Sequence, residues 1–201
     1  MTTIKSSTGV LLDYVDGRPL ISSLIEVQNA LKRFGTGLWP IDLRNTPNNI
    51  KQRLNNSVLS AEEAQQIQHY FQLQTSELVK TIMAAGRQPH VIAGSTSSML
   101  FVAKENEDYS HYDRLHVNES NDGVAVDEIM QMISGSAYIL TQHMHGETIK
   151  LQLDCPNDDQ GWLLTYSGSI PHMGSVTSAT VGTKILVQVL GPQQWELRYI
   201  D

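Results

Sequence analysis

Apolar residues recur every third or fourth position through the first third of the chain and at alternate positions through most of the rest. In "SSLIEVQNALKRFG", Leu24, Val27, Leu31 and Phe34 mark one face of a helix. Ser23 and Glu26 have the spacing of a capping box, and Gly35 stands where a left-handed cap is wanted. A longer helix is predicted in "LSAEEAQQIQHYFQLQTSELVKTIMAAG". There Ser60 and Glu63 repeat the capping box, Ala64, Ile67, Phe71, Leu78, Ile82 and Ala85 form the apolar stripe, and Gly86 closes it. The intervening "GLWPIDLRNTPNNIKQRLNNSV" carries Pro40, Pro47 and several Asn, so a loop is expected, with one short helix starting at Pro47.

From about Pro89 the period becomes two. "SMLFVAKE", "RLHVN", "DEIMQMISG", "SAYILTQHM", "ETIKLQLD", "GWLLTYSG", "TKILVQVLG" and "WELRYI" are short, rich in β-formers and bounded by Gly, Pro, Asn, Asp or Ser. Such a series of strands argues for a sandwich or barrel and against alternating βαβ units. The expected class is α+β, mainly β, with residues 1–88 as a helical N-terminal extension and residues 89–201 as the β domain.

Composition narrows the function classes. The 201 residues, 40% hydrophobic and 17% charged, describe an ordinary soluble globular chain with enough length for a real core. A net charge of −7 without a Lys/Arg cluster argues against nucleic-acid binding. The absence of any stretch of about 18 to 20 apolar residues argues against a membrane span. The single cysteine, Cys155, excludes an internal disulfide and suits a reducing cytoplasm, the expected location. Its acidic surroundings, "DCPNDDQG", should raise the thiol pKa and keep it inert. No glycine-rich phosphate loop lies between a strand and a helix.

Candidate chemistry starts with "QHMHGETIKLQLD", where His143, His145 and Glu147 alternate as ligands on one strand face would. The pattern fits either a metal site or only a hairpin that happens to contain histidines. His69, on the longer helix, reads as a surface or packing residue.

The segment "DEIMQMISGSAYILTQHMHGETIKLQL" resembles the cupin family of small jelly-roll barrels. The first cupin motif ends in a glutamate, six residues and a glycine, as Glu128 to Gly135 does. "GSIPHMGSV", Gly168 to Val176, is similar to the proline-containing turn of the second motif. The resemblance covers roughly residues 91–200 and implies a cupin-like jelly-roll barrel. Metal-binding members present two histidines on one strand, a glutamate on the next and a third histidine after the proline turn.

Carried over residue by residue, the resemblance implies metal ligands His116, Asn118, Glu128 and His172. Asn118 stands where the second histidine would be, nine residues separate it from Glu128, and His172 lies directly after Pro171. A divalent transition ion (Fe, Mn, Ni or Zn) would take imidazole nitrogens at about 2.0–2.2 Å, with open positions for substrate. His116 could equally donate to a backbone carbonyl. Glu128 shares its face with Met130 and Met132, so it needs a partner or a metal. Without metal, its carboxyl is expected to have a raised pKa and to act as general acid or base with Tyr112, Tyr166 and His172. Glu128 and Tyr166 are thus the candidate catalytic residues.

These residues leave three classes open. One is a metal-dependent enzyme of dioxygenase, isomerase or lyase type acting on a small molecule inside the barrel. Another is a non-catalytic binding or sensing barrel lined by methionines, Tyr138, Trp162 and Tyr166. The last is an interaction scaffold, and the resemblance makes a homodimer the expected assembly.

Overall fold

The computed structural model describes residues 7–84, 95–109, 113–176, 179–191 and 194–200. All eight expected runs form strands: Ser95–Val102 (β3), His116–Glu119 (β4), Asp127–Ser134 (β5), Tyr138–Met144 (β6), Glu147–Leu153 (β7), Gln160–Tyr166 (β8), Lys184–Leu190 (β10) and Glu196–Tyr199 (β11). Three further strands were not foreseen, Val10–Tyr14 (β1), Gly37–Asp42 (β2) and His172–Ser175 (β9). The loop expected around Pro40 is therefore corrected over Gly37–Asp42. The proline is accommodated because β2 ends its sheet, where one missing backbone donor breaks no ladder.

The strands make two antiparallel sheets that face each other without closing, in the orders β1-β7-β6-β9-β4-β11 and β2-β8-β5-β10-β3. Each sheet takes one strand from the N-terminal side of residue 88: β1 pairs with β7 and β2 with β8. Alternation sorts the strands of the five-stranded sheet onto two cores. Met130, Met132, Trp162, Leu164 and Ile185 face the other sheet, whereas Ile129, Ile133, Leu163 and Leu186 face outward. That outer face is covered by the helices Asn48–Leu54 (α2) and Ala61–Ala84 (α3), through Ile50, Leu54, Ile67 and Phe71. Both faces are thus removed from water, which is why β5 is buried along almost its whole length, its polar residues included.

The remaining helix, Leu24–Lys32 (α1), joins the inter-sheet core through Val27, Ala30 and Leu31. Of the two expected capping boxes, Ser60 and Glu63 make theirs in both directions, at 2.8 and 3.2 Å. Ser23 makes no side-chain cap bond. Gly35 does adopt the left-handed conformation, at φ +61°, and Gly86 lies outside the described residues. The short helix begins directly after Pro47, as expected.

Helix α2 is tied to β10 by Lys184, which is fully buried. Its ammonium donates to the carbonyls of Leu54, Asn56 and Gly182 at 2.8, 2.7 and 2.8 Å. Two of these acceptors sit at or just past the end of α2, where unpaired carbonyls and the negative end of the helix dipole favour a cation. Among the described residues no helix is long and apolar enough to cross a membrane.

Candidate metal centre

Strand pairing brings the candidate ligands together across the space between the sheets. On one sheet His116 of β4 is directly opposite His172 of β9, with ring centroids 4.6 Å apart. On the other, Glu128 of β5 is opposite Tyr166 of β8. Ligating atoms of His116, Glu128 and His172 all lie within 4.8 Å of one another. The long spacing between Asn118 and Glu128 is absorbed by a tight turn. Ser120 accepts from Gly123 and donates to Val124, and the chain returns so that Val126 donates to the Asn118 carbonyl at 2.9 Å. His172 reaches the site without the usual spacing after Pro171 because the segment it opens is itself a strand.

The two imidazoles are held alike. Nδ1 of His116 lies 2.8 Å from the carbonyl of Arg114, and Nδ1 of His172 lies 2.7 Å from that of Ile170, each two residues upstream. A carbonyl only accepts, so Nδ1 carries the hydrogen in both rings and Nε2 keeps its lone pair for the interior. Donation to a backbone carbonyl and ligation were alternatives for His116 in the sequence; the first is observed, and it leaves Nε2 available for the second. Nε2 of His172 is buried, has no hydrogen-bond partner, and stands 3.5 Å from Oε1 of Glu128. An orphaned nitrogen lone pair facing a carboxylate oxygen is the donor arrangement that a cation resolves.

Both oxygens of Glu128 are anchored. Nδ2 of Asn118 donates to Oε1 and the Tyr166 hydroxyl to Oε2, each at 2.5 Å. Burial pushes this carboxyl up, but a proton carried on Nε2 of His172, in the place a cation would take, outweighs it together with Tyr166 and Asn118 and holds the group down at about 2. The raised pKa expected of Glu128 among methionines is therefore corrected to a lowered one. Burial, reinforced by the Glu128 charge, raises the Tyr166 hydroxyl well above its ordinary value, so it remains a donor. Burial, then the neighbouring His172, lowers His116 and favours its neutral, ligating form.

A cavity of about 160 Å³ opens onto these groups. Apart from the ligands it is bounded by Tyr138, Tyr166 and apolar side chains that include Met99, Phe101, Val187 and Leu197. Met130, Met132 and Trp162, expected as lining, instead fill the inter-sheet core, where Trp162 donates to the Asp154 carbonyl at 2.8 Å. Tyr112 lies outside the described residues.

The other candidates stay apart. The turn of the β6–β7 hairpin is His145-Gly146, both at positive φ, and Glu147 opens β7 opposite Met144. Glu147 is paired with Arg18 and Arg33 at 2.7 and 3.0 Å, and Nδ1 of His143 is 2.8 Å from the Thr148 hydroxyl. A larger depression of about 520 Å³ near Lys51, Ser134, Asp158 and Cys155 gathers no comparable ligand set. Burial, then Asp154 and Asp158, pushes the Cys155 thiol up to about 12, which leaves it unreactive at neutral pH.

Gly168 supports the site from behind. Its carbonyl accepts from the Asn118 amide at 2.8 Å, and a Cβ built on it would come within 1.9 Å of the Val126 carbonyl oxygen and 2.9 Å of Asn118 Cβ. Gly168→Ala is expected to cost roughly 1–3 kcal/mol in a denaturant melt. It should also weaken metal binding by displacing Asn118. A variant of unchanged stability would show that this backbone gives way freely.

No protein-family model matches the sequence, and no curated protein does. Among solved structures the chain is similar to acireductone dioxygenase from Bacillus anthracis with a cadmium ion in its active center. The TM-score is 0.66, over 94% of this chain and 96% of that one, at 11% identity. A likeness of that kind at so low an identity speaks for the fold, and the fold is that of the cupins.

Proposed function

We propose that the protein is a metal-dependent cupin enzyme acting on a small molecule. Its divalent ion is held by Nε2 of His116, Nε2 of His172 and an oxygen of Glu128. The observation that carries this reading is the buried, partnerless Nε2 of His172, aimed at an ionised carboxylate and fixed in its ligating tautomer. Two imidazoles and one carboxylate beside open space favour iron(II) and a dioxygenase-type reaction. The cadmium in the similar dioxygenase supports a divalent ion here. When bound, such an ion supplies Lewis acidity and free coordination positions for substrate and dioxygen.

The chain's own residues prepare that site. Asn118 and Tyr166 each hold a different oxygen of Glu128, so the carboxylate cannot rotate, and Oε1 retains a lone pair for the ion. Both are assigned here as positioning residues; Tyr166, with its proton firmly held, donates and does not act as a base.

Dialysed protein offered iron(II), manganese, nickel or zinc in turn, without oxygen, is expected to retain about one equivalent of ion. At a hundredfold excess over Kd the melting temperature should rise by about 5–10 °C. Affinity should stay level above about pH 7 and fall below about pH 6, because protons then compete for the imidazoles while Glu128 remains ionised. Neither retention nor a thermal shift with any of these ions would overturn the reading.

A further inference from the structure

We infer that the ligand of this centre is a neutral apolar body about the size of one six-membered ring, carrying a single chelating oxygen head; this rests on the metal reading above. Size comes first. The cavity holds about 160 Å³, close to the ~150 Å³ of an apolar protein cavity that accepts benzene. A nucleotide, a sugar phosphate or a long acyl chain would extend beyond that space into solvent.

Charge narrows the class further. Met99, Phe101, Ile185, Val187, Val189 and Leu197 supply most of the wall beyond the ligand cluster, and among the described residues no lysine or arginine lines it. Among those residues the formal charge facing the cavity is that of Glu128, held by two hydrogen bonds. With a divalent ion the site carries a net charge of about +1, which a head that has lost one proton cancels. A carboxylate or phosphate on the body of the ligand would lie against these apolar side chains without a partner, which weakens its binding.

The rim repeats the preference. Met99 and Leu197 line the cavity yet are 48% and 44% exposed, and they stand on β3 and β11, the end strands of the two sheets. The cavity thus meets solvent between two unpaired sheet edges, past apolar side chains. Of the described polar side chains that remain, Tyr166 is already engaged by Glu128, which leaves the Tyr138 hydroxyl and the Trp195 indole. The recognition chemistry is a chelating pair of oxygens at the metal end and dispersion contact along the body.

The test uses 4-methylcatechol and 3,4-dihydroxybenzoate, which share a ring and a chelating diol and differ in a methyl against a carboxylate. Both are titrated calorimetrically, without oxygen, into the zinc-loaded protein. The neutral probe is expected to bind at least tenfold more tightly. Leu197→Arg, which gives the carboxylate a partner at an exposed rim position, should narrow that gap to threefold or less. In parallel, toluene should raise the melting temperature of the metal-free protein and benzoate should not. Equal or reversed preference between the two catechols on protein that has taken up zinc overturns the inference and leaves the metal reading standing. Failure to take up zinc overturns the metal reading; the metal-free arm then decides the apolar body, which is refuted if toluene has no effect.

Discussion

Replacing His172 with alanine is expected to lower metal affinity by at least about a hundredfold, since loss of an outer-shell partner alone removes about 10- to 100-fold in metal sites and this change removes a proposed ligand. His172 is also buried between two rings, 4.6 Å from His116 and 4.9 Å from Tyr166, so the truncation costs packing as well. His116→Ala separates the two effects because His116 is only partly buried. It should lose affinity to a similar degree with a smaller loss of stability. Competition against a chelator of known affinity reads the first quantity, and a urea melt of metal-free protein reads the second. Metal content unchanged in both variants would refute the assignment of ligands.

The largest effect on stability away from the site is expected at Lys184. Lys184→Met keeps most of the side-chain volume but removes three charge-assisted hydrogen bonds and strands the carbonyls of Leu54, Asn56 and Gly182. A loss of about 3 kcal/mol is expected, or a melting temperature lower by roughly 6–12 °C for a chain of this size. Metal affinity should hardly change, because the ammonium faces α2 on the far side of the sheet from Glu128. A loss below about 1 kcal/mol would mean that water replaces the ammonium at all three carbonyls.

Strands were legible wherever alternation or a β-rich run was bounded by turn residues, as in the eight runs from β3 onward. β1 has the same alternation, with Val10, Leu12 and Tyr14 buried, but its five residues fall in the stretch read as a helical extension, where no strand was expected. β2 was hidden by Pro40, whose effect as a breaker depends on whether the strand has a neighbour on that side. β9 is four residues long, too short for a period to show.

At the site, Glu128 was found through its spacing to Gly135, and His116 and His172 through the strand and turn that carry them. The direction of the Glu128 pKa was misread because only its neighbours along the strand, Met130 and Met132, entered the argument. The groups that decide it come from the opposite strand, Tyr166, and from the facing sheet, His172. The carbonyl contacts at Arg114 and Ile170 depend on ring orientation, which periodicity does not encode. The apolar wall was missed because Met99, Phe101 and Leu197 sit on end strands whose partnership only the fold reveals.

The partnership of β1 with β7 also sets a timetable. Val10 pairs with Leu153 and Gly37 with Thr165, so each N-terminal strand leaves the ribosome long before its mate has been made. At about 5–20 residues per second, the wait is on the order of ten seconds. Throughout that interval "VLLDY" and "GLWPID" are apolar segments with unsatisfied backbone edges, open to chaperones or to neighbouring nascent chains. Cells that synthesise this protein faster than they can shield those two segments should accumulate it in aggregates, even though the finished fold buries both.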